Sequence, residues 1–80
     1  MQADRLEEAA THFRRAIELE PYFSLPYFNL ALAIDKLGKA KEGAITAWRD
    51  YLARAPKRQG SQINQANGRL AALGQTAGRQ

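Results

Sequence analysis

The sequence predicts an all-α fold, a stack of about four antiparallel helices, and three observations carry that expectation. Apolar residues recur at three- and four-residue spacings along most of the chain. Pro21, Gly38, Pro56 and Gly74 punctuate the chain at helix-length intervals, and no stretch shows the alternation of a strand. Finally, one phrase is written twice: "AATHFRRAIELEP" (9–21) returns as "AITAWRDYLARAP" (44–56), 35 positions on. Thr11 matches Thr46, Arg14 matches Arg49, and Phe13 is answered by Trp48. A fixed period of this length marks a stacked repeat.

The first helix is expected to start at Asp4, with Glu7 completing a capping box. Leu6, Ala9, Ala10, Phe13, Ala16 and Ile17 then form its apolar stripe, and Pro21 stops it because proline offers no amide. The second begins near Ser24, read as an N-cap with Pro26 in the first turn, and ends at Gly38. The third covers about Lys41 to Ala55, with a poorly signalled entry because Lys39 and Lys41 oppose the dipole there. After the linker "KRQG", the fourth runs from Ser61 with Ile63, Ala66, Leu70 and Leu73 inward. Its other face, Gln62, Gln65, Asn67 and Arg69, is expected in water, and Gly74 ends it. The tail, 75–80, has nothing to bury.

Eighty residues make one domain at most, and with no cysteine its stability must rest on apolar packing. The most apolar run, "LPYFNLALAI", is far short of the ~20 residues needed to cross a bilayer. No signal peptide is seen at the N-terminus, so a cytoplasmic location is the default, with a periplasmic or membrane-associated one through a partner left open. Net charge is +4 but uneven. Residues 1–40 balance at −1 and residues 41–80 at +5, which raises nucleic acid, anionic lipid or an acidic partner against an ordinary solvated surface.

The motif Tyr27-x2-Leu30-Ala31-x2-Ile34, then Ala44-x3-Trp48, then Pro56 resembles a tetratricopeptide repeat, a helix–turn–helix unit of 34 residues. The earlier phrase, with Ala9, Phe13, Ala16 and Pro21 in signature places, resembles the second helix of a preceding repeat. The resemblance covers residues 5–58: a partial repeat over 5–21 and a full one over 24–58. It implies an α-solenoid fragment in which 61–73 is the capping helix. Three features depart from the pattern. The spacing from Tyr27 to Ala44 is 17 rather than 16, Tyr51 replaces a small alanine, and 59–80 fit no third repeat.

The resemblance also implies a groove on the second helix, lined by Leu25, Phe28, Asn29, Leu32, Asp35 and Lys36, with Asn29 holding a ligand's main chain. The cluster of lysines and arginine with which chaperone-binding members grip a carboxylate is not present as a set. Counting back from Ala9 places the preceding helix before Met1, so Leu6, Phe13 and Ile17 are expected to form an N-terminal docking face. Upstream repeats, a second copy or another subunit would cover it. Tyr22 and Phe23, in "PYFSLPYF", are equally readable as recognition or packing residues.

His12 stands alone, without the partners of a metal site or catalytic base. Ser24 and Ser61 read as caps rather than nucleophiles, and "GKAKEG" lacks the spacing of a phosphate loop. No cofactor, metal or catalytic residue is expected. The expected function is non-catalytic protein–protein interaction, by binding a peptide or helix of a partner or by docking as a scaffold subunit. The alternative is nucleic-acid binding by the basic C-terminal half, through Lys57, Arg58, Arg69 and Arg79.

Overall fold

The structure, a computed structural model, describes residues 2–74, with side chains from residue 5 onward; the expected tail at 75–80 and Arg79 lie outside them. The described residues form α1 (Gln2–Leu19), α2 (Ser24–Leu37), α3 (Lys41–Arg54) and α4 (Gly60–Ala72), with no strand among them. The all-α class is as expected. Each helix packs chiefly on its neighbour in sequence, α1 on α2, α2 on α3 and α3 on α4. No described helix is long and apolar enough to cross a membrane.

Several boundaries differ from expectation for local reasons. α1 already runs from Gln2, so Glu7 is no part of a cap. Its carboxylate instead meets the Lys39 ammonium from the α2–α3 turn, which holds the Glu7 carboxyl below its ordinary range. Ser24 is the first residue of α2 rather than its cap; extended Phe23 caps it with no side-chain bond. Ser61 likewise lies inside α4, behind Gln59. Gly38 behaves as expected: at φ 68° it takes the left-handed turn, and its amide donates to the Ile34 carbonyl at 3.3 Å.

The core is built by α2, α3 and α4. Ala31, Trp48, Tyr51 and Ala66 are fully shielded, and Tyr27, Phe28, Ile45, Ala47 and Leu70 join them. Phe28 meets Trp48 and Tyr51 edge-on, with ring centroids 5.5 and 5.1 Å apart, the favoured geometry for aromatic pairs. Ala31 and Ala44 are small where their helices approach closely. Tyr51 therefore does not overcrowd the place of the usual alanine. Its ring fills the core between Phe28 and α4, while its hydroxyl donates to Gln59 Oε1 at 2.7 Å.

Gln59 ties the helix ends together. Its Oε1 also accepts from Ser24 Oγ at 3.1 Å, so one amide joins the start of α2, the body of α3 and the α3–α4 turn. Nearby, Tyr27 Oη donates to the Pro21 carbonyl at 3.0 Å, and the Arg54 guanidinium lies 4.2 Å above the Tyr27 ring. These contacts hold the α1–α2 turn beside the α3–α4 turn.

Candidate functional site

On α2, the residues expected to line a groove separate into different environments. Phe28 is only 8% exposed and packs on Trp48 and Tyr51, so it is a core side chain and not a groove wall. The spacing of Ser24, Tyr27, Phe28 and Ala31 explains this: they form one helical stripe, and that stripe faces α3. The stripe was readable in the sequence; the groove pattern of the resemblance obscured it.

Asp35 is also corrected. Trp48 Nε1 donates to its Oδ2 at 2.9 Å, while Arg69 approaches in a fork, Nε to Oδ2 at 2.6 Å and Nη2 to Oδ1 at 2.9 Å. The Arg69 bond, against the cost of burial and with help from Trp48, holds the Asp35 carboxyl below its ordinary range. Asp35 thus fastens α4 to α2 and α3 rather than facing a ligand. Arg69, expected on the watery face of α4, is its partner and not an uncommitted phosphate contact.

α4 consequently lies over the C-terminal part of the expected groove, where Leu32 and Lys36 share a shallow hollow with Gln65 and Arg69. Asn29 is half-buried, and its amide bonds to no described residue. Leu25, at the other end, is 46% exposed.

The expected N-terminal face is smaller than the sequence suggests. Leu6, Phe13 and Ile17 are each half-buried, because α2 covers part of the α1 stripe. Ile17 turns inward, against the core cluster. It lines a groove of about 580 Å³ between α1 and α3, floored by Tyr27, Leu30 and Ile34 and edged by charged residues including Arg14, Glu18 and Asp50. Leu6 sits in a separate shallow cleft beside Ala9 and Lys36.

The largest exposed apolar side chains fall elsewhere. Leu19, Tyr22, Phe23 and Leu25, 68%, 90%, 61% and 46% exposed, lie within seven residues of chain at the α1–α2 turn. Tyr22, Phe23 and Leu25 border a hollow of about 330 Å³ whose opposite wall is Arg54, Pro56, Arg58 and Gln59. The sequence leaves Tyr22 and Phe23 equally readable as recognition or packing residues and offers no sign that arginines lie opposite them. Only the fold brings the two sets together.

Among the described residues no group of three His, Cys, Asp or Glu is placed to hold a metal ion, and His12 is exposed on α1. Comparison with protein-family models, with curated proteins and with solved structures gave no match to this chain.

Proposed function

We propose that this protein is a non-catalytic protein–protein interaction module, built as a tetratricopeptide-like fragment with a capping helix. The observation that carries the reading is the exposed edge of Leu19, Tyr22, Phe23 and Leu25. Small folded domains rarely leave several large apolar side chains together in water unless a partner covers them. The repeat-like spacing supports the same reading, since stacked helical repeats commonly offer docking surfaces. The docking site is therefore the edge formed by the α1–α2 turn, which keeps Leu25 of the expected α2 groove but not Asn29.

A scaffold role, in which the chain docks as a subunit of a larger assembly, is favoured by a different observation. The α1–α3 groove has an apolar floor and suits a helix or large side chain from another subunit. Nucleic-acid binding is the less supported alternative, because Arg69 is committed to Asp35.

Affinity capture with the intact chain tests the edge against the α2 groove. A partner retained by the wild type and by Asn29→Ala, but lost with the double change Tyr22→Ser and Phe23→Ser, supports the edge. Loss with Asn29→Ala alone returns the site to the middle of α2. Capture indifferent to all three positions removes the proposal.

A further inference from the structure

The exposed edge has a chemical character beyond being apolar. Every charged side chain bordering the hollow between the two turns is cationic: Arg54 and Arg58, with neither Asp nor Glu in its wall. Arg54 is held in place, its guanidinium over the Tyr27 ring and its Nη1 donating to the Asp50 carbonyl at 2.9 Å. Arg58 is exposed and pairs with no described residue. Gln59 adds further donors. Both hydroxyls that reach this amide donate to Oε1, leaving Nε2 with no acceptor among the described residues.

From this arrangement we propose that the hollow binds an acidic linear segment of a partner protein, one in which an aromatic or aliphatic anchor is flanked by carboxylates. The anchor would lie against Tyr22, Phe23 and Leu25, and the carboxylates would meet Arg58, Arg54 and the Gln59 amide. Charge complementarity selects the sign of the partner. Tyr22 and Phe23 can stack on a base as well as on an apolar side chain, but Leu25, Pro26 and Pro56 add aliphatic contact that suits a side-chain anchor. The described cations at the hollow are too few to form a track along a phosphate backbone. Such a contact is much smaller than the standard interface of ~1,600 Å², so binding should be weak and quickly reversible.

This inference rests on the docking reading above, and its test separates the two. The probes are a fluorescent peptide with a Trp–Leu pair flanked by glutamates, the same peptide flanked by lysines, and single-stranded oligothymidylate. Binding is read by fluorescence anisotropy and located by backbone amide shifts in 15N-labelled protein. The expected result is that the glutamate peptide binds in preference to the lysine peptide and shifts the amides of Tyr22, Phe23, Arg58 and Gln59. Arg58→Glu, a change at an exposed and unpaired side chain, should weaken it by about tenfold. If both peptides bind equally, lose binding with Tyr22→Ser and Phe23→Ser, and ignore Arg58→Glu, the acidic partner is overturned while docking at the edge stands. Tighter binding of oligothymidylate at the same amides would overturn it in favour of nucleic acid. Shifts confined to α2 around Asn29 and Leu32, or no binding of the glutamate peptide, would overturn it as well.

Discussion

α1 and α3 carry the same phrase, yet the fold treats the two copies differently. Trp48 is wholly shielded, whereas Phe13, its counterpart, is half-buried. Ala44 is 2% exposed while Ala9 remains partly open, and Tyr51 is sealed where Ala16 is not. The outward-facing matches, Thr11 with Thr46 and Arg14 with Arg49, are alike in exposure, as are Ala10 with Ile45, both buried, and Ile17 with Leu52, both half-buried. Neighbours make the difference. α3 lies between α2 and α4, while among the described residues α1 packs almost wholly on α2. A repeated phrase fixes which face of a helix is apolar; the number of walls around it fixes what that face contributes to stability.

The comparison can be broken most severely by removing residues 59–80. That strips the second wall from α3 and also removes the Gln59 and Arg69 fastenings, so the copies should become equivalent and the cooperative transition should be lost. Calorimetry checks this; a soluble, cooperatively melting chain ending at Arg58 would mean that α4 is dispensable to the core.

Single substitutions then sharpen the contrast. Trp48→Ala should cost about 3–5 kcal/mol, as for a fully buried aromatic, and it also removes a donor from Asp35. Phe13→Ala should cost about half as much, roughly 1.5–2.5 kcal/mol, because part of its ring is already in water. Urea unfolding of the two variants measures the ratio directly, and equal losses would show that the second wall adds nothing.

Smaller again is Tyr51→Phe, which keeps the ring packing and deletes the hydroxyl bond to Gln59. A loss of about 0.5–1.5 kcal/mol is expected, since Ser24 still donates to the same oxygen. Burial pushes the Tyr51 phenol pKa up, so no stability change from its ionisation should appear below pH 10.

The last test is a pH dependence on the fastening of α4. Asp35 has a folded pKa below its unfolded value, so its carboxylate contributes stability that is present above about pH 4 and is lost as pH falls through the folded pKa. Wild type should therefore melt above Asp35→Asn at neutral pH, with the gap narrowing on acidification below about pH 4. A pH-independent gap would assign the effect to packing rather than to the Arg69 ion pair.

Much of the fold was legible because helix formation is local. The stripes, the stop at Pro21 and the left-handed Gly38 depend only on spacing and backbone stereochemistry within a few residues. Caps were less legible: Ser24, expected to accept from the first amides of α2, lies inside that helix and donates instead to Gln59 Oε1, 35 residues away. The candidate site was the least legible part. The groove pattern that the resemblance implies takes in Phe28 although it shares a helical stripe with the core residues Tyr27 and Ala31, and the partner of Asp35, Arg69, lies 34 residues further on.

By itself, then, the sequence determined the helices, their order and most of the faces they bury. Hydrophobic periodicity and turn chemistry act over one or two turns of chain. Only the tertiary structure decided which of two matching phrases is sealed, which charge is consumed as a fastening, and where exposed aromatics meet arginines. Burial and electrostatic pairing depend on what lies across the gap, and at Tyr22 and Phe23 what lies across it is the α3–α4 turn, more than 30 residues away.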